Sequence, residues 1–307
     1  MKKILLMAIA ALMAISAIAQ TTVKKVRVYA GNTVVFEQKY DAVDSVVFVD
    51  EIIPDVPVDE TNGALPGEFS VSAHQKVKFS KGNLRYLNST WQFAENQWDR
   101  PNVNTTGRDV FAWGTGDDPA KTGTTADYST FHDWGANPIS NGGNEANMWR
   151  TLTKDEWVYL FHDRTNASNL FALGTVKGRN GVIILPDNWV TPEGVTFNPN
   201  RMDWYSNSSG SGYTTNSTTD QYTRNTYDET QWLTMQAHGA VFLPAAIDYN
   251  GQLVGGYWSA TSGVKSGYPN LRYSLDFDKA WLSPQYMQIE FSEGYLSRSV
   301  RLVQDVE

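Results

Sequence analysis

Residues 255–303 read GGYWSATSGVKSGYPNLRYSLDFDKAWLSPQYMQIEFSEGYLSRSVRLV. The stretch opens on Gly255, Gly256, Tyr257 and Trp258. It closes on Gly294-Tyr295-Leu296-Ser297-Arg298-Ser299-Val300-Arg301-Leu302-Val303, whose alternating apolar residues predict a half-buried strand. Both ends read as packing elements. Between them lie Lys265, Tyr268, Asn270, Arg272, Asp278, Trp281 and Tyr286, the aromatic and hydrogen-bonding groups that a binding surface uses.

Upstream, strands are expected at Phe69–Ser72, Lys76–Phe79, Asn83–Leu87 and Thr90–Ala94, with a turn at Asn88-Ser89. Thr153-Lys154-Asp155-Glu156 is a capping box, and Trp157, Leu160 and Phe161 share the helical face that follows it, to about Asp163. Gly181-Val182-Ile183-Ile184-Leu185-Pro186 predicts a buried strand. Thr226-Tyr227-Asp228-Glu229 reads as a second capping box, followed by a helix that stops at Gly239 and by Ala240-Val241-Phe242-Leu243-Pro244. Asp99–Asn147 is loop-like around Phe111, Trp113, Phe131 and Trp134, and so long a stretch without regular periodicity is either functional or wrapped on the core by its aromatics. The tract from Tyr205 to Thr226 has too few aliphatics to build a core and reads as a mobile surface loop, whose Tyr205, Tyr213 and Tyr222 are available to a binding surface. Two capped helices among many short strands give an α+β class.

The start of the chain reads as an export signal. Lys2 and Lys3 precede an apolar run that ends in Ala17-Ile18-Ala19, the small-residue cleavage pattern, so residues 1–19 are expected to be removed. The run is short for a bilayer span, and no later stretch is long and apolar enough for one. Residues 20–50 predict a small antiparallel β module with strands at Val26–Tyr29, Thr33–Tyr40 and Ser45–Val49. Residues 51–67, with Pro54, Pro57 and Pro66 among acidic residues, form a linker, and the main domain occupies 68–307. The 25 basic and 33 acidic residues give a net charge of -8, near -10 once Lys2 and Lys3 leave, which disfavours a nucleic-acid partner. With no cysteine there is no disulfide, thiolate metal site, Cys nucleophile or Cys-linked lipid.

VKFSKGNLRYLNSTWQFAENQWD (77–99), FAWGTG (111–116) and WRTLTKDEWVYLF (149–161) resemble a large family of secreted Bacteroidetes proteins related to the Fibrobacter succinogenes major paralogous domain. The order helix, Leu-Pro strand, helix, Leu-Pro strand, GGYWSAT and GYLSRSVRLV extends the resemblance over Phe69 to Val303. It implies a C-type-lectin-like fold, similar to that of formylglycine-generating enzymes and of retroelement-diversified variable proteins. In the variable proteins the ligand contacts lie between a GG-x-W element and a closing strand. Leu296 and Ser297 are insertions relative to that closing strand.

The resemblance points to Tyr268, Asn270, Arg272, Asp278, Trp281 and Tyr286 as ligand contacts in a secreted, periplasmic or cell-surface binding protein. Trp281 and Tyr286 would stack; Asn270, Arg272 and Asp278 would hydrogen-bond a glycan or surface protein. No catalytic, cofactor or metal residues are expected. Formylglycine-generating chemistry needs cysteines; no G-x-S-x-G or H-E-x-x-H occurs; Gly114–Asp118 lacks the spaced ligands of a calcium loop. His132 beside Asp133 reads as a structural pair. Two competing classes stay open. One is a surface-layer or fimbria-like assembly protein whose N-terminal strands pair with a partner chain. The other is a glycan-active hydrolase, with Asp117, Asp187 and Asp278 as carboxylates that no linear pattern pairs.

Overall fold

Strands hold most of the regular structure, at 41% against 14% helix, which agrees with an α+β class. The computed structural model describes residues 25–30, 33–39, 62–99, 107–121, 130–207, 210–245, 247–249, 252–265, 268–288 and 297–306. The expected signal peptide, the third N-terminal strand and most of the linker lie outside them. The chain divides into two units, Met1–Ile52 and Ile53–Glu307. In the first, β1 (Lys25–Ala30) and β2 (Thr33–Lys39) pair antiparallel, and Glu37 reaches both Lys25 and Arg27 across the pair. Phe36 on β2 stands exposed.

The second unit begins with β3 (Phe69–Ser70), β4 (Lys76–Phe79), β5 (Leu84–Leu87) and β6 (Thr90–Phe93). Asn88 and Ser89 both have positive φ, 51° and 59°, the backbone of a two-residue hairpin turn. After β7 (Gly107–Arg108) and β8 (Arg150–Thr151), helix α1 (Lys154–Val158) starts as its sequence predicts. The Thr153 hydroxyl accepts from the Glu156 amide, and Glu156 accepts from the Thr153 amide at 2.7 Å. The helix runs on as a π-helical turn to Asp163, burying Trp157, Leu160 and Phe161.

β9 (Phe171–Val176) and β10 (Arg179–Ile184) form a hairpin. The tract expected to be a mobile loop instead contains β11 (Asp203–Asn207), β12 (Gly210–Thr214) and β13 (Thr226–Tyr227), with Tyr213 and Tyr222 in the core. β13 pairs parallel with β9, which takes Thr226 and Tyr227 out of the expected capping box. The box of α2 (Glu229–Ala237) is Asp228 with Gln231, two residues later than predicted. β14 (Val241–Pro244), β15 (Ile247–Tyr249), β16 (Gln252–Lys265), β17 (Tyr268–Asp278), β18 (Trp281–Gln288) and β19 (Leu302–Asp305) complete the unit. The closing strand is therefore shorter than expected, with Arg298 and Ser299 in single bridges to Phe111 and Tyr257.

The strands assemble as β13-β9-β10-β14, β11-β12-β18-β17-β16-β15, β3-β4-β19-β8 and β6-β5-β7. The β9-β10-β14 layer is covered on both faces. Leu173, Val182, Ile184 and Leu243 enter one core with Phe79, Trp157, Phe161 and Phe277, while Val176, Ile183 and Phe242 enter another with Trp232 and Met235 of α2. Burial on both sides explains why these strands are unbroken apolar runs rather than alternating ones. A third core is rich in indoles: Trp91, Trp113, Trp134, Trp149 and Trp258, with Phe111 and Val300. Gly255, three residues into β16, has a packing cause, since a Cβ there would lie 1.9 Å from the ring of Phe277, its strand partner.

Two buried guanidinium groups link these layers. Arg301 donates to Gln97 Oε1 (2.8 Å) and Asn83 Oδ1 (3.4 Å); Gln97 also accepts from the Phe242 amide, and Asn83 donates to the Tyr257 hydroxyl. Arg164 donates to the carbonyls of Leu185 and Leu170 and to Asp187 (3.2 Å), which also accepts from the Ser70 amide and hydroxyl. Burial acts to raise the Asp187 pKa, but the Ser70 hydrogen bonds and the Arg164 charge outweigh it and hold the carboxyl below its ordinary 3.8. A depressed carboxyl contributes stability that is complete above its unfolded pKa and is lost as pH falls through the folded one. Acid titration of stability should therefore be steeper below about pH 4 in the native chain than in Asp187→Asn. Equal slopes would show that Asp187 is not linked to folding.

Candidate functional site

Strand register sorts the six-stranded sheet into two faces. On one, Tyr213, Leu282 and Phe277 lie side by side across β12, β18 and β17 and enter the core under α1. On the other, Asp203, Thr214, Trp281 and Asp278 form a row across β11, β12, β18 and β17. Further rows on this face set Gly256 beside Asp276 and Ser283, Trp258 beside Ser274 and Tyr286, and Ser262 beside Arg272. Trp281 and Tyr286 are five residues apart, a spacing that puts two residues of a regular strand on opposite faces. A bulge corrects this. Ser283 pairs with Asp276 and Tyr286 with Ser274, so Pro284 and Gln285 together oppose Leu275. Proline has no amide hydrogen for the ladder, which suits it to a bulge.

The second face is half covered. Toward β16, Trp258 sits in the indole-rich core and donates to the Phe111 carbonyl at 2.7 Å. Arg298 clamps Asp276 through Nε (3.2 Å) and Nη2 (2.9 Å), a buried two-point ion pair. Arg272 lies 4.3 Å from the ring centroid of Trp113, which is delivered by the loop after β7. Toward β11 the face opens: Asp203 and Thr214 are exposed, Tyr205 and Trp281 half-buried, and Tyr286 38% exposed.

At this open corner three aromatics meet. The Trp281 indole donates to the Tyr205 hydroxyl at 2.8 Å. Tyr286 stands across Trp281 at 84°, with centroids 5.3 Å apart. Gly212 is the strand partner of Tyr205, so β12 carries no side chain between Tyr205 and β18. A Cβ there would lie 2.4 Å from the Leu282 carbonyl.

The expected contact residues separate on this face. Trp281 and Tyr286 are together at the corner. Asp278 stands beside Trp281, where its carboxylate accepts from the Ala280 amide at 2.8 Å and shapes the β17–β18 turn. Burial, with the charges of Asp278 and Asp220, pushes the neighbouring Tyr222 phenol up. Arg272 is a correction: at 4% exposure it packs on Trp113 and is withdrawn from the surface. Tyr268 and Asn270 belong to β17, but their side chains lie outside the described residues. Tyr205, Thr214 and Asp203 join the corner; the first two fall in the expected loop, where Tyr205 is available to a binding surface, and Asp203 lies just before it. Their only linear trace is the alternation of Asp203 and Tyr205 around Trp204.

The remaining chemistry is local. Asp133 accepts from Gly135 and Thr151 rather than facing His132, whose Nε2 lies 3.9 Å from Asp117. Asp117 is held by Lys121 at 2.6 Å, its hydrogen bond being the chief reason the carboxyl is lowered. His162 stacks flat on Trp204 at 3.8 Å, and His238 Nδ1 lies 2.9 Å from the Thr234 carbonyl. Asp117, Asp187 and Asp278 are each engaged in their own neighbourhoods, by Lys121, by Ser70 and Arg164, and by Ala280. Among the described residues no three His, Asp or Glu side chains gather as a metal site. Nor does any helix among them have the length and apolarity to cross a membrane. Comparison of the chain with known protein families, curated proteins and solved structures gives no match.

Proposed function

We propose that the chain is an exported, non-catalytic binding protein, secreted, periplasmic or at the cell surface. Its second unit is a C-type-lectin-like domain that recognises a glycan or protein at the open corner of the six-stranded sheet. The observation that carries this reading is the meeting of Trp281, Tyr286 and Tyr205 on one solvent-facing corner, two of them fixed to each other by a hydrogen bond. The order of elements that carries the family resemblance supports the fold assignment: α1, a strand ending at Leu185-Pro186, α2, a strand ending at Leu243-Pro244, and the glycine pair of β16.

Screening the mature chain against glycans and surface proteins, then repeating with Trp281→Ala and Tyr286→Ala, tests the site. Truncating a central interface aromatic should weaken binding at least about tenfold. Both variants should keep native circular dichroism, because neither ring is fully buried. Full-strength binding by the folded double variant would remove the corner as the site.

The assembly reading draws on the first unit. Among its described residues the unit holds a two-stranded sheet, which by itself is marginal in water, and β2 exposes Phe36 at 48%. Deleting residues 20–50 separates the two readings: loss of assembly with intact ligand binding favours the structural role.

A further inference from the structure

The corner's row chemistry narrows the ligand. In the row Asp203, Thr214, Trp281, Asp278, both charged residues are carboxylates. Four adjacent strands at about 4.8 Å spacing make it roughly 14 Å long, longer than one sugar ring. Arg201 and Lys279 are near it in sequence but outside it, the first before β11 and the second in the β17–β18 turn. The Trp281 and Tyr286 rings stand at right angles and make an apolar corner. Because Trp281 Nε1 is already engaged by Tyr205, the indole is held in place before any ligand arrives. The Tyr205 oxygen accepts that bond, which leaves its own proton to donate.

We infer that this corner takes an uncharged glycan, with the C–H face of one sugar ring against Trp281 and Tyr286 and hydroxyls of the chain bonded by Asp203, Thr214 and Tyr205. The inference rests on the corner being the ligand site. Carboxylates accept hydrogen bonds from neutral hydroxyls, whereas sulfate or carboxylate groups on a sugar would meet Asp203 and Asp278 as like charges. A protein partner fits less well. Protein interfaces need about 800 Å² from each side and deplete carboxylates from their centres, while here the central indole has Asp278 directly beside it.

The test is titration calorimetry of the full mature chain with neutral oligosaccharides (glucose-, xylose-, mannose- and N-acetylglucosamine-based) and with sulfated and sialylated counterparts. The native protein should bind a neutral member and lose about tenfold or more in affinity as Trp281→Ala. Tyr205→Phe, which removes the hydroxyl and keeps the ring, should weaken binding severalfold while costing no more stability than one hydrogen bond. Asp203→Lys should weaken the neutral ligand and improve the anionic set. If only anionic glycans or a protein bind, and Trp281→Ala abolishes that binding, the ligand class is wrong and the site stands. If neutral glycans bind Trp281→Ala at full strength, the site and this inference both fall. Absence of binding to every neutral oligosaccharide overturns the inference alone.

Discussion

Trp258→Ala should cost about 3–5 kcal/mol of folding stability, among the largest losses from any single truncation in this chain. The side chain is 1% exposed and sits among Trp91, Phe111, Trp113 and Val300 in the indole-rich core. It also carries the Arg298 guanidinium at 5.7 Å, and Arg298 in turn holds Asp276. Removing the indole empties a large volume and loosens one side of a buried ion pair, whose carboxylate lies in the floor of the sheet. The Phe111 carbonyl keeps the amide of Arg298 as a donor, so it is not orphaned. Trp258→Phe should recover more than half of the loss by filling most of the space. Urea unfolding monitored by circular dichroism measures both; a midpoint for Trp258→Ala within about 1 kcal/mol of native would contradict this account of the core.

Arg301 should give a divided result. Arg301→Ala is expected to cost about 3–5 kcal/mol, and Arg301→Met at least about 2 kcal/mol less. The guanidinium is wholly buried, and its hydrogen-bond acceptors, Gln97 and Asn83, are neutral. Burial pushes its pKa down to about 9, so it is still charged at neutral pH and carries a desolvation cost with no carboxylate partner among the described residues. Alanine removes the hydrogen bonds and leaves a void where the cores adjoin. Methionine removes the same bonds and the charge but keeps most of the volume, and Gln97 Oε1 retains the Phe242 amide. Equal losses from the two substitutions would mean that the charge itself, not the filled space, stabilises the junction.

Elements set by neighbouring residues were legible in the sequence. The Thr153–Glu156 box forms through contacts three residues apart, and the apolar runs at 181–185 and 240–243 are strands because both faces are covered. The second box moved because Thr226 and Tyr227 pair with β9, fifty-odd residues away, and that pairing overrides a local cap. The tract from Tyr205 to Thr226 is poor in aliphatics, the usual mark of burial, yet part of it is buried. At Ser211 and Gly212 burial comes from backbone packed on backbone, and Ser283 donates to the Ser211 carbonyl at 2.8 Å. The same reason hid half the corner. Trp281 and Tyr286 are visible as aromatics, but Tyr205 reaches Trp281 only through the register of three strands. Arg272 resembles a contact residue until Trp113, 159 positions earlier, is laid over it.

The bulge at Pro284 and Gln285 gives this surface an unusual means of change. Everything on β18 beyond it is presented in a frame that the extra residue sets, while Leu282 and the buried strands before it stay fixed. A substitution that restored an amide hydrogen at position 284 would permit a regular ladder, in which Gln285 faces outward beside Trp281 and Tyr286 turns inward. Spacer length therefore decides which side chains of β18 reach this face. A one-residue change of spacing there would exchange the side chains presented on this face while leaving the core residues unchanged.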